Sequence, residues 1–199
     1  MRVITGKYRG RKLETPEGYE IRPTSDKVRE AIFNILMQVT DEAVCCDLFA
    51  GTGALGIEAL SRGARRCYFG DRSREAIGIV KRNLAHCKAE EDAAVFFGDY
   101  HKVLKRIPEK VDIFFLDPPY QAGLYENCLG EIDALDLLAP DGIILAEHET
   151  REHLPEILGR FSRVKSRKYG KTSVDLYRWT ADPAESTEEQ TDSESACDE

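Results

Sequence analysis

Hydrophobic positions change rhythm twice along this chain. Residues 2–13 alternate loosely around Gly6 and Gly10, the pattern of a short basic β-hairpin. After Arg22-Pro23-Thr24, with Thr24 as candidate cap, Val28, Ile32, Ile35, Leu36 and Val39 recur at helical spacing and predict an amphipathic helix through about Gln38. From residue 44 onward, short apolar runs alternate with amphipathic segments. The runs 44–49, 66–70, 93–97, 111–116 and 142–146 predict strands, and 54–62, 73–87, 122–138 and 150–159 predict helices of crossover length. Val111-Asp112-Ile113-Phe114-Phe115-Leu116 is apolar on both faces, as a parallel sheet covered on both sides requires. Residues 161–168 and 172–179 flank the turn signal Tyr169-Gly170-Lys171 and predict a closing antiparallel hairpin. The expected fold is therefore α/β, a Rossmann-like and mostly parallel sheet with an antiparallel edge hairpin, preceded by a small N-terminal β-hairpin extension.

A length of 199 residues suits one domain with appendages. The divisions expected are a basic hairpin-and-helix extension over 1–40, a core over 41–180 and a tail over 181–199. The tail is rich in Glu, Asp, Ser and Thr and has no aromatic or large aliphatic residue, so burial cannot offset its ordering entropy; disorder is expected there, with a regulatory role left open. It also distorts the charge balance. The chain's net charge is -8, yet the tail alone holds eight acidic side chains and no basic one, leaving 28 of each in the remainder. Partners must then be read from local clusters. Arg2, Lys7, Arg9, Arg11 and Lys12 precede the first acid, Glu14, and Arg160, Arg163, Lys165, Arg167, Lys168 and Lys171 form a second run without an acid. Either cluster could track phosphates.

With 42% hydrophobic and 32% charged residues, the chain fits a soluble globular protein and not a fibrous or wholly disordered one. Its six cysteines include no C-x-x-C pair and no zinc-ligand spacing, so no metal is expected. Cys45, Cys46 and Cys67 fall in apolar runs, which fits a reducing compartment, the cytoplasm. The first residues lack an apolar signal region, and no run approaches the roughly eighteen apolar residues of a membrane span, so neither secretion nor membrane insertion is expected.

Candidate chemistry begins after the first strand. Asp47-Leu48-Phe49-Ala50-Gly51-Thr52-Gly53-Ala54-Leu55-Gly56 fits G-x-G-x-x-G between a strand and a helix, where glycines permit a tight turn and backbone N–H groups can approach a ligand. A turn that binds nothing has the same pattern. Asp71, twenty residues after Gly51, stands where such folds hold a ribose hydroxyl pair. Asp99 in Phe96-Phe97-Gly98-Asp99 could accept from an adenine amino group or simply cap a helix. Asp117-Pro118-Pro119-Tyr120 follows the fully apolar strand. The two prolines remove N–H donors and favour extended neighbours, so the Asp117 carboxylate and Pro118 carbonyl are free to accept from an exocyclic amino group while Tyr120 stacks a base. A generic proline turn is the alternative.

These residues together resemble a known family. Asp-Pro-Pro-Tyr with the glycine turn looks like an S-adenosylmethionine-dependent amino-group methyltransferase. Residues 2–13, Arg22-Pro23-Thr24, Val28-Arg29-Glu30-Ala31 and 47–64 are similar to the RsmD family of bacterial 16S rRNA guanine-N2 methyltransferases, with the likeness running from residue 2 to about 179. The resemblance implies a class I methyltransferase fold and S-adenosylmethionine contacts at Asp47, Gly51, Gly53, Asp71 and Asp99. It also implies catalysis at Asp117, Pro118, Pro119 and Tyr120, and RNA contacts at Lys7, Arg9, Arg11, Lys12 and Arg22. The implied partner is 16S rRNA within an assembled small ribosomal subunit, and the chain is expected to be monomeric. The family more often carries Glu at the position of Asp71.

Three other readings stay open. A dinucleotide-dependent oxidoreductase would use Gly51, Gly53, Gly56 and Asp71 but leaves Asp117 to Tyr120 unexplained. An RNA-binding module without catalysis would need only the basic hairpin. An adenine-N6 methyltransferase would use the same proline loop. His148-Glu149-Thr150-Arg151-Glu152-His153 resembles a zincin helix, but its histidines are five apart rather than four, and a solvated surface is expected instead.

Overall fold

A computed structural model describes residues 1–16, 25–119 and 123–180. Its centre is an eight-stranded sheet: β1 (Val44–Asp47), β2 (Arg66–Asp71), β3 (Ala93–Phe97), β4 (Val111–Leu116), β5 (Leu138–Glu149), β6 (Ile157–Leu158), β7 (Phe161–Tyr169) and β8 (Thr172–Trp179). The strand order is β3-β2-β1-β4-β5-β8-β7-β6. The first five strands are parallel and the pairings from β5 outward are antiparallel. The expected mostly parallel sheet with an antiparallel edge is what forms.

Helices α1 (Asp26–Ile35), α2 (Ala54–Ser61) and α3 (Arg74–Cys87) cover one face, with Ile32, Phe33, Ile57, Leu60, Val80 and Leu84 packed on Cys45, Phe69, Ile113 and Phe115. Helices α4 (Tyr100–Leu104) and α5 (Leu124–Ala134) cover the other, with Leu104, Cys128 and Ile132 on Cys46, Phe114 and Ile144. Covered on both sides, β1 is buried at every position, and Cys45, Cys46, Cys67, Cys87 and Cys128 are all buried free thiols. Val3, Tyr8 and Leu13 of the N-terminal segment join the first of these clusters.

Several expected boundaries move, each for a local reason. The helix α1 is capped by Ser25, whose Oγ accepts from Val28 N at 3.3 Å; Thr24 lies outside the described residues. It stops at Ile35 rather than near Gln38, because the buried Thr40 hydroxyl takes the Leu36 carbonyl at 2.8 Å and turns the chain inward. Residues 150–159 form turns and the short β6 instead of a helix. Pro155 cannot donate to a preceding turn, Gly159 has φ 59°, and the Leu154 and Glu156 carbonyls are taken by Arg163. The strand β5 begins at Leu138, ahead of Pro140 and Gly142, with a register shift opposite Val111 and Ile113. Residues 2–13 form the expected hairpin in short form: an antiparallel Arg2–Lys12 bridge with backbone bonds from Val3 N to the Arg11 carbonyl at 3.0 Å, Gly10 N to the Val3 carbonyl at 2.9 Å and Leu13 N to the Met1 carbonyl at 3.0 Å. The five-residue α4 is too short for a periodic signal, and only the capping alternative at Asp99 pointed to it.

Close packing at the first strand–helix junction gives a test. A Cβ at Gly56 would stand 2.3 Å from the Phe69 ring and 2.7 Å from Cys67 Sγ, both in the buried core. Gly56→Ala is expected to destabilise by about 1–3 kcal/mol through overpacking, seen as a lower denaturant midpoint with an unchanged slope.

Candidate active site

Strand order reverses between β1 and β4, so the loops leaving their carboxyl ends diverge over a shared crevice, the place where open α/β sheets bind ligands. Both candidate motifs leave from there. After β1 the chain turns through Gly51 and Gly53 into α2, Gly53 with φ 77° as its left-handed N-cap. A side chain there would be strained. Three contacts fix this turn. Asp47 Oδ2 accepts from Gly56 N at 3.0 Å, Asp71 Oδ2 from Gly51 N at 2.9 Å, and Asn83 Nδ2 donates to the Thr52 carbonyl at 2.9 Å. The other Asp71 oxygen accepts from Ser73 N at 2.7 Å. Asp71 therefore braces the turn from the end of β2, and its carboxylate keeps lone pairs for a further donor.

Asp99 caps α4, accepting from Lys102 N at 3.0 Å, and that bond, together with the Lys102 ammonium, holds its carboxyl below the usual range. The capping alternative is thus realised at Asp99, while the carboxylate stays exposed at the end of β3. Asp117 and Pro119 are exposed and Pro118 is buried directly after β4. Tyr120 lies outside the described residues. Although its surface is open to solvent, Asp117 is walled in by the strand ends; that crowding and then the Glu147 and Asp47 carboxylates push its carboxyl well above the usual carboxylate range. Asp47 is 4% exposed. Burial first, with the Asp71 carboxylate adding and the Gly56 amide opposing, raises its carboxyl to about 7.

Glu147 escaped the sequence reading. The parallel register pairs Leu116 with Ala146, so the next step along each strand sets Asp117 beside Glu147. Its signal was an acid ending the apolar run Ile143-Ile144-Leu145-Ala146. Asn83 and Glu58 were missed too. Asn83 binds both the turn and the Glu14 backbone, and the buried Glu58 carboxylate accepts from Ile4 N at 2.7 Å, Thr5 N at 3.0 Å and Arg62 Nε at 2.8 Å. The Ile4, Thr5 and Glu14 partners lie more than fifty residues away and leave no local pattern.

The basic N-terminal segment divides. Lys7 is paired with Asp92 at 3.2 Å and Arg11 donates to the His86 carbonyl at 2.9 Å, both folded around the Tyr8 ring. Arg9 and Lys12 are exposed, and Arg22 lies outside the described residues. His148, expected on a solvated surface, is instead buried on β5, with Nε2 3.3 Å from Asp175 Oδ2 and Nδ1 3.0 Å from the Glu149 carbonyl. Burial disfavours its charge, but Asp175 outweighs this and raises its pKa. Among the described residues no group of three or more His, Cys, Asp or Glu is placed to hold a metal, and no helix is long and apolar enough to cross a membrane.

Comparison with known proteins places the chain in a family. Residues 1–178 match the family described as Conserved hypothetical protein 95. The chain is 36% identical over 178 residues to "Ribosomal RNA small subunit methyltransferase D" of Escherichia coli (strain K12), covering 89% of each protein. The chain belongs to the RsmD family. Another member of similar size, "Putative rRNA methyltransferase YlbH" of Bacillus subtilis (strain 168), is 41% identical over 181 residues, 89% of this chain and 98% of that protein. Among solved structures, "Putative methyltransferase yhhF from Escherichia coli" superposes with a TM-score of 0.82 at 35% identity, covering 92% of this chain and 99% of that one. The RsmD-family chain thus has the Rossmann-like methyltransferase fold.

Asp47 offers a test that needs no ligand. Its folded pKa lies above its unfolded value, so between about pH 4 and pH 7 the native state holds the extra proton and stability falls as pH rises. Asp47→Asn still accepts from Gly56 but never ionises. The variant is expected to melt higher than wild type at about pH 8, by on the order of 2–4 kcal/mol, and to converge with it near pH 4 in ligand-free thermal melts.

Proposed function

We propose that this protein transfers a methyl group from S-adenosylmethionine to the exocyclic N2 of a guanine in 16S rRNA, acting as a monomer in the cytoplasm on an assembled small ribosomal subunit. The observation that carries this reading is the meeting of the glycine turn after β1 and Asp117-Pro118-Pro119 after β4 at one strand-order reversal. The names of the relatives, a small-subunit rRNA methyltransferase among them, support RNA as the substrate class.

The residues present fit the cofactor. Asp47, Asp71, Asp117 and Glu147 gather acid at the carboxyl ends of β1, β2, β4 and β5, and burial first, with neighbouring carboxylates second, pushes the Asp47 and Asp117 carboxyls up. Such a cluster favours a positively charged ligand. The turn from Gly51 to Gly53 would hold it with backbone close by, Asp71 and Asp99 would take its ribose and adenine, and Asp47 would keep the turn in shape. Bound there, S-adenosylmethionine supplies an electrophilic methyl group on a sulfonium.

The chain's own part is orientation and charge. The guanine N2 lone pair is delocalised into the ring, so holding the amino group in place contributes much of the rate. Asp117 and the Pro118 carbonyl accept its two N–H bonds, Pro119 keeps the loop without a competing donor, and Tyr120 stacks the base. As the nitrogen gains the methyl group it becomes positive and gives up a proton. Asp117, ionised beside the cationic cofactor and already bonded to one of these N–H groups, is the acceptor. Arg9, Lys12 and Arg22 carry the phosphate contacts, with Lys7 and Arg11 available once their internal pairs open.

The test is methyl transfer from labelled S-adenosylmethionine to small subunits lacking their native methylations, followed by nucleoside mass spectrometry. N2-methylguanosine is expected; N6-methyladenosine would overturn the target assignment, and thermal stabilisation by NADH in place of S-adenosylhomocysteine would overturn the chemistry. Asp117→Ala should lower kcat by about 100-fold or more with S-adenosylhomocysteine binding retained. Near wild-type turnover would remove Asp117 from the mechanism.

A further inference from the structure

A second basic surface lies on β7, away from the N-terminal segment. Arg160 and Arg163 at its start are spent on Asp133 and on Asp175 with Glu156. Lys165, Arg167, Lys168 and Lys171 have no carboxylate within ion-pair distance among the described residues; Arg167 touches only the carbonyl of its neighbour Ser166. The strand register says where these cations point. Lys165 pairs with Leu176 and Arg167 with Val174, and cross-strand partners share a face. Leu176 and Val174 belong to the cluster beneath α1, α2 and α3, so Lys165 and Arg167 project on that side.

There, Lys165 and Tyr169 form one wall of a trough of about 480 Å³ whose other wall is α1. Ala31, Asn34 and Ile35 of α1 and Gln38 just beyond it line the trough, only partly covered by the other described residues, and Met37 at its rim is 70% exposed. The volume is within the roughly 300–1,000 Å³ range of ligand clefts. Its chemistry is specific: an aromatic ring for stacking, two side-chain amides that can donate and accept, and the Lys165 cation for phosphate, with Arg167 next along the same face of β7. The sheet face beside the trough also leads to the reaction site. Arg167 pairs with Val174 and Val174 with Glu147, so one row of same-face residues crosses from β7 through β8 to the acid beside Asp117, two strand spacings or about 10 Å.

We infer that the trough between α1 and β7 holds an unpaired RNA nucleotide flanking the target base, with its phosphates on Lys165 and Arg167, its ring on Tyr169 and its edge on Asn34 and Gln38. This rests on RNA being the substrate, as proposed above. Single-stranded RNA favours such a site, since its bases are splayed, stackable and readable on their edges. The N-terminal segment and β7 then grip the RNA on two sides of the target.

The test is the full chain's steady-state methylation of small subunits lacking their native methylations, alongside S-adenosylhomocysteine binding. Lys165→Glu with Arg167→Glu should raise KM for the subunits by about 10-fold or more and flatten its salt dependence, leaving kcat and S-adenosylhomocysteine affinity near wild type. Lys81→Glu with Lys88→Glu makes the same change in net charge on α3 and its C-cap and should leave KM nearly unaltered. Tyr169→Ala should raise KM by about 10-fold and Tyr169→Phe should restore it. Wild-type KM in the β7 variant, or equal increases in both charge variants, overturns the trough while leaving the proposed function intact. A methylated adenine with the KM increase retained overturns the guanine assignment and keeps the trough. Absence of RNA methylation by the wild-type chain removes both.

Discussion

The carboxylate of Asp47, accepting the Gly56 amide from inside the protein, is the contact on which the geometry of the site hangs. Strand β1 is buried on both faces, so the residue that ends it has little access to water. An ionised group there needs compensation, and the first turn of α2 supplies an otherwise orphaned N–H. That bond aims α2 at the strand, but it does not repay desolvation in full, as the raised Asp47 carboxyl shows. Replacing the acid by an apolar residue would lift the electrostatic cost and leave the helix start unpinned. The arrangement has the mark of a site in which stability is given up for a charge held in position.

What surrounds Asp47 extends the same logic. Asp71 holds Gly51, and Asn83 holds Thr52 while gripping the Glu14 backbone, so the turn is tied to β2, to α3 and to the N-terminal segment at once. Glu58 on the back of α2 ties that segment down again through the Ile4 and Thr5 amides. The basic N-terminal segment is therefore built into the same scaffold as the glycine turn, and its backbone is referenced rigidly to that turn. Part of its charge meets structural needs, since Lys7 and Arg11 hold Asp92 and His86.

How much of this was legible followed from the range of the interactions. Strands β1 to β4 and helices α2 and α3 were readable because their periodic apolar residues record burial locally, and Asp47, Asp71 and Asp117 because each sits at a strand end. The segment 150–159 misled because Leu154, Ile157 and Leu158 have helical spacing, while the opposing facts, carbonyls claimed by Arg163 and pairing with Phe161, come from elsewhere in the chain. His148 looked exposed for the same reason: its partner Asp175 arrives from β8. Glu147 became visible only when the β4–β5 register set it beside Asp117. Local pattern gives elements and strand ends; polar side chains whose partners lie across the sheet need the topology.

The antiparallel edge gains a role from this topology. A purely parallel sheet ending at β5 would expose the row that carries Glu147 and lose the partner of His148. Adding β8 pairs Val174 with Glu147 and delivers Asp175 to His148, so the edge that closes the sheet also secures the strand bearing the second acid of the crevice. Adding β7 outside β8 then carries cations on the same face, at a distance set by strand spacing alone. Acid at the centre and base at the margin give one sheet face potentials of opposite sign in its middle and at its edge. That pattern needs no moving part, because every charge in it is fixed by backbone register.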